Sequence, residues 1–135
     1  MNHRHQRQPV IVLAAALSFL SVAAGAFGAH GAKSILSAPA MAVYETAVDY
    51  QFFHSLALLV VGVLIALPIA INKKALTLAV GCFTAGIVLF SGSLYLYAFT
   101  GITKLGMITP LGGLLFLVGW LMLGVAAWSS GNPKR

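Results

Sequence analysis

Charge is what this chain has least of. Only 7% of its 135 residues are charged, and Glu45 and Asp49 are its only acids. Cysteine occurs once, at Cys82, which excludes an intrachain disulfide and a cysteine-rich metal site. Cys82 lies inside an apolar run and reads as a small packing residue. The eight Lys and Arg residues give a net charge of +6. They stand at the ends of apolar runs and form no dense patch, which argues against a nucleic-acid partner.

What the chain has in excess is apolar surface. It is 60% hydrophobic, with a mean hydropathy of +0.97. Four long runs cover about residues 10–29, 52–71, 76–97 and 108–128. Each is long enough to cross a hydrocarbon core of ~30 Å, which takes ~20 helical residues. No water-soluble domain of this length has the interior to hide so much apolar surface. The sequence therefore predicts an all-α integral membrane protein. It is an antiparallel four-helix transmembrane bundle, one membrane domain over residues 1–135. Arg4 and Arg7 precede the first run, as in a secretory signal. Its apolar core exceeds the ~7–15 residues of a signal, so a retained helix is expected.

Lys and Arg set the expected orientation. Arg4, Arg7, Lys73, Lys74, Lys134 and Arg135 share one side, against Lys33 and Lys104 on the other. The richer side is cytoplasmic by the positive-inside rule. Both termini are expected in the cytoplasm, with loops near 30–51 and 99–107 outside. Residues 1–8 read as a frayed polar segment. Ser37 and Pro39 look like the start of a helical outer segment that leads into the second span. Pro68 is expected to kink that span. Gly101 and Gly106 flank a turn, after which Thr109 caps the fourth helix and Pro110 takes its first position.

At 100° per residue, each span gathers small residues on one face. Gly25 and Gly28 lie on span 1, Gly62 on span 2, Gly86 and Gly92 on span 3, and Gly112, Gly113 and Gly119 on span 4. Small residues let helix backbones approach in lipid, so these glycines are expected at the seams. Phe52, Leu56 and Val63 lie on the lipid face of span 2. That face continues from Glu45 and Asp49, which are read as solvated charges above the bilayer. Tyr44, Tyr50, Tyr95, Tyr97 and Trp128 read as interfacial anchors.

The polar residues His30, Gln51, His54, Ser91, Ser93, Tyr95 and Thr109 map to the outer half of the membrane. They form the candidate polar cluster. An ionisable group inside a span is costly unless paired or near water, and His54 is the clearest case. It is either a proton- or ligand-binding imidazole or a neutral ring bonded to Tyr95 or a serine hydroxyl. Two histidines on adjacent helices could ligate haem or a metal. Whether Gly28 and Gly31 break span 1 and turn His30 inward stays open. No further ligand is evident, so no metal, no cofactor and no catalytic residue is expected.

Gly25-Ala-Phe-Gly-Ala-His30-Gly31 and Tyr50-Gln51-Phe-Phe-His54 carry a resemblance. So do Phe90-Ser-Gly92-Ser93-Leu-Tyr95, Ile108-Thr-Pro110-Leu-Gly112-Gly113 and Gly119-Trp120. Over roughly residues 10–128 the chain resembles the YgdD-like family of small bacterial inner-membrane proteins of unknown function. That family has related small transmembrane proteins in eukaryotes. The resemblance implies a four-helix plasma-membrane protein and no reaction. The expected role is a non-enzymatic accessory or a lipid- or partner-binding bundle. Its partners would be the bilayer and a membrane-protein partner or a second copy. The alternatives are a small oligomeric transporter or channel, or a His-ligated haem or metal protein.

Overall fold

The structure is a computed structural model and describes residues 7–131. Arg4, Lys134 and Arg135 of the orientation argument, and most of the segment read as frayed, lie outside the described residues. Helix α1 (Pro9–Ile35) begins with proline in its first turn, where a missing N–H costs no helical bond. It is regular to Phe27, then widens into one π turn over Gly28–Ala32. Helix α2 (Ala38–Ala66) is capped by Ser37, whose Oγ accepts the Ala40 N–H at 3.3 Å. The outer segment and the second span are thus one continuous helix, starting where Ser37 and Pro39 suggest.

The other end of α2 differs from expectation. The helix does not run to residue 71 with a kink at Pro68. It stops at Ala66, and Leu67 is extended with ψ 142°. Proline clashes with a helical residue before it, so Pro68 ends the helix instead of bending it. The freed carbonyls find a donor in Lys73, whose Nζ donates to the Leu64, Ile65 and Leu67 oxygens, each at 2.8 Å.

Helix α3 (Lys73–Thr100) is capped by Asn72, whose Oδ1 accepts the Ala75 N–H at 3.1 Å. It carries a π turn over Ile87–Ser91 and ends at Gly101, which takes φ +67°, open to glycine without strain. A 3₁₀ turn (Thr103–Met107) leads into helix α4 (Thr109–Trp128). Thr109 is therefore already helical and Pro110 follows it. The expected cap is displaced, and the Thr109 hydroxyl pairs with Ser93 instead.

All four helices are long and apolar enough to cross a membrane. The described residues contain no strand. Helix α1 packs mainly on α2 and α3 mainly on α4, with α2 also against α3. The start of α1, the end of α2, the start of α3 and the end of α4 share one end of the bundle, called the terminal end below. Val10 and Ile11 meet Gly62 there, and the Asn72 N–H donates to the Ala126 carbonyl. The core holds Ala14, Leu58, Val61, Leu76, Ala79, Phe83 and Phe116, with a smaller cluster of Ala32, Tyr44 and Ala98 toward the far end. Phe52, Leu56 and Val63 face outward, as a lipid-facing stripe requires.

Close approach is visible at five of the expected glycines. A Cβ at Gly28 would stand 2.7 Å from the Tyr44 ring, and one at Gly119 2.7 Å from the Phe83 ring. Gly62, Gly86 and Gly112 are similarly crowded by Val10 and Ile11, by Phe116, and by the Phe90 backbone. Gly25 and Gly113 make only ordinary contacts, at 3.6 and 3.7 Å. Gly92 is a correction, because nothing lies within 4 Å of a Cβ there. The π turn before it adds a residue per turn. A wheel advanced at a constant 100° across that turn loses phase and misplaces Gly92.

Candidate functional site

The polar cluster resolves into separate inter-helix locks. The Gln51 amide on α2 links three helices. Its Nε2 donates to the Leu17 carbonyl of α1 at 3.0 Å, and its Oε1 accepts the Tyr95 hydroxyl of α3 at 2.7 Å. The Ser91 hydroxyl donates to the Ala47 carbonyl at 2.7 Å, tying the π turn of α3 to α2. Ser93 and Thr109 hydroxyls pair at 2.6 Å between α3 and α4. Among the described residues no buried side-chain N or O lacks a partner. That completeness matters in lipid, where no water compensates an orphaned donor.

His54 forms the fourth lock, but not with the expected partners. Its Nδ1 lies 2.8 Å from the Tyr50 carbonyl, and its Nε2 lies 3.1 Å from the Trp120 Nε1. A carbonyl only accepts and an indole N–H only donates. The pair therefore fixes the neutral ring with its proton on Nδ1. Tyr95, the anticipated partner, is held by Gln51. The imidazole also stacks on Phe116, with centroids 3.5 Å apart and planes 11° off parallel. Tyr50 continues the stack at 5.9 Å and 16°, and Trp120 stands edge-on at 6.0 Å. His54 is buried near the middle of α2, and Trp120, 48% exposed, stands near the middle of α4. At ~1.5 Å per residue, His54 stands about 18 Å along the helix from Ala66.

His30 does not join the cluster. The Gly28–Ala32 segment changes α1 to a π turn without breaking it, and His30 stays exposed. A paired-histidine ligand set is not assembled. Among the described residues no three His, Cys, Asp or Glu side chains gather. Glu45 and Asp49 are exposed. Tyr44 and Tyr95 correct the anchor reading. Tyr44 is buried, its hydroxyl donating to the Ala24 carbonyl, and Tyr95 points into the Gln51 lock. Trp128 stays exposed at the end of α4.

Beside the His54 lock the bundle opens sideways into a groove of about 530 Å³, lined by Tyr50, His54, Phe90, Phe116, Leu117 and Trp120, with Pro110, Gly113 and Leu114 along its α4 wall. Sequence reasoning missed Trp120 as the histidine's partner. The available signal was an indole at mid-span on the small-residue face of α4, away from the interfaces where tryptophan ordinarily sits. An indole N–H held away from water needs an acceptor.

Residues 24–113 match a family described as a protein of unknown function (DUF423). The chain is 48% identical to a UPF0382 membrane protein of Staphylococcus haemolyticus, over 87% of this chain and 93% of that relative. It is 44% identical to the UPF0382 membrane protein YwdK of Bacillus subtilis, over 87% and 94%. With a UPF0382 membrane protein of Haemophilus influenzae it shares 42% identity, over 89% and 94%. No solved structure matches. With four membrane-length apolar helices and relatives named as membrane proteins along nearly their whole length, this chain belongs to the DUF423 family, the UPF0382 membrane proteins, whose function is unknown.

Proposed function

We propose that the protein is a non-enzymatic, multi-pass protein of the bacterial inner membrane that binds lipid or a membrane-protein partner through its helical bundle. Both termini lie in the cytoplasm in this reading, and the YgdD-like resemblance names the same group of proteins. One observation carries it. The buried polar side chains are engaged with each other and with backbone carbonyls, while the His54 groove presents apolar walls to the surrounding lipid. Catalysis needs a group poised to exchange a proton or attack a substrate. Here the imidazole has both nitrogens bonded and the buried hydroxyls are held in inter-helix or same-helix bonds.

The test is mild crosslinking in native membrane, followed by identification of co-purifying proteins and lipids. Recovery of a defined partner or lipid supports the reading. Recovery of neither, together with solute flux in reconstituted vesicles, would replace it with the oligomeric transporter alternative.

A further inference from the structure

We propose that the groove beside His54 holds one acyl chain of a phospholipid from the leaflet at the far end of the bundle. This rests on the lipid-binding reading above and narrows it to one occupant. The groove follows α4 from Pro110, next to the first residue of that helix, to Trp120 near its middle. At ~1.5 Å per residue that is about 15 Å. One leaflet of a ~30 Å hydrocarbon core has the same depth. The groove thus begins at headgroup level and ends near the bilayer centre. Leu114 and Leu117 on its flank are 59% and 69% exposed, so it opens into the lipid and not into the bundle.

Chemistry selects the occupant of this groove of about 530 Å³. At its inner end, His54 Nδ1, His54 Nε2 and Trp120 Nε1 are all engaged. A polar ring placed there would give up its hydrogen bonds without replacement, whereas a hydrocarbon chain gives up nothing. The Tyr50 hydroxyl makes no hydrogen bond among the described residues. Tyr50 lines the groove one turn nearer the far end, and α2 tilts its side chains that way. The Tyr50 ring, stacked on Phe90, adds to the wall against which the chain lies.

The chain's two tryptophans make the test direct. Trp128→Phe removes the more exposed one and leaves Trp120 as the only tryptophan. The full chain is reconstituted in phosphatidylcholine vesicles with a rising fraction of phosphatidylcholine brominated either near the carbonyl or near the chain terminus. Terminal bromines should quench Trp120 more strongly, and the quenching should follow exchange at a single lipid site. Gly113→Leu in the same background should abolish the single-site component. A Cβ at Gly113 meets only Phe90 atoms, at 3.7 Å or beyond, so the new side chain extends into open space. Equal quenching by both lipids, a curve requiring several exchanging lipids, or intermolecular crosslinking through Leu117→Cys would overturn the proposal. Should Gly113→Leu fail to fold, the quenching curve of the Trp128→Phe protein decides alone. A captured protein partner alongside a negative quenching result would sink this inference and leave the broader reading standing.

Discussion

At the scale of single residues, the histidine is the decisive side chain. His54 joins α2 to α4 through Trp120, stacks on Phe116 and keeps its second nitrogen on its own helix. Truncation to alanine removes that contact area and orphans an indole N–H in a dry setting. His54→Ala should therefore cost about 2–4 kcal/mol, the sum of a core cavity and a lost buried hydrogen bond. Glu45 is exposed, so Glu45→Ala should change stability by no more than about 0.5 kcal/mol. Thermal unfolding of both variants in the same detergent compares them, and equal midpoints would remove His54 from its role as a lock.

At the scale of helices, two features govern how the elements end and meet. Lys73 satisfies three carbonyls that Pro68 leaves without helical partners. Read from sequence alone, Lys73 is an orientation signal. The structure adds a second role as the C-terminal cap of the preceding helix. Lys73→Met keeps the length of the side chain and removes the donor. It should destabilise the α2–α3 junction by about 1–3 kcal/mol, since hydrogen bonds to a charged donor lie at the strong end of the range. Faster proteolysis between Ala66 and Lys73 would report it. The glycines supply a paired comparison. Gly112→Ala places a methyl on the Phe90 backbone and should force α3 and α4 apart, at about 1–3 kcal/mol. Gly92→Ala meets open space and should leave the melting temperature unchanged or slightly raised. A larger loss from Gly92→Ala than from Gly112→Ala in detergent melts would contradict the packing at the π turn.

At the scale of the whole molecule, the bundle is a membrane protein in its distribution of polarity. Large apolar side chains cover much of its exterior, and among the described residues its interior combines small residues, a few large apolar ones such as Leu58, Leu76 and Phe83, and fully bonded polar side chains. Hydrophobicity holds such a bundle in the bilayer but does not bring its helices together, so close contacts and inter-helix bonds must. Both termini should report as cytoplasmic. Reporter fusions at the two ends should read inside, and insertions at the junction 36–37 and in the loop near 101–107 should read outside. An odd number of crossings or the inverted pattern would refute that orientation. The positive-inside bias is a property of sequence and of insertion, so this prediction belongs to the chain as a whole and to no single contact.

Composition determined the membrane, the number of spans and the helical class, because transfer of apolar surface and backbone groups into hydrocarbon depends on run length and not on partners. Local chemistry also fixed the Ser37 start and the Gly101 end, which depend on a few neighbouring residues. Gln51, His54, Ser91, Ser93, Tyr95 and Thr109 were legible as a group because polar residues within spans are scarce. Which of them pair was not legible. The π turn of α3 advances that helix out of phase with a regular wheel and leaves Gly92 outside the packed seam, while α1 continues unbroken and leaves His30 exposed. Only the folded arrangement decided that Trp120 meets His54, that a lateral groove opens beside that pair, and that Lys73 reaches back to the end of α2. Those are long-range choices of partner, made by which side chains the packing leaves within a few ångströms of one another.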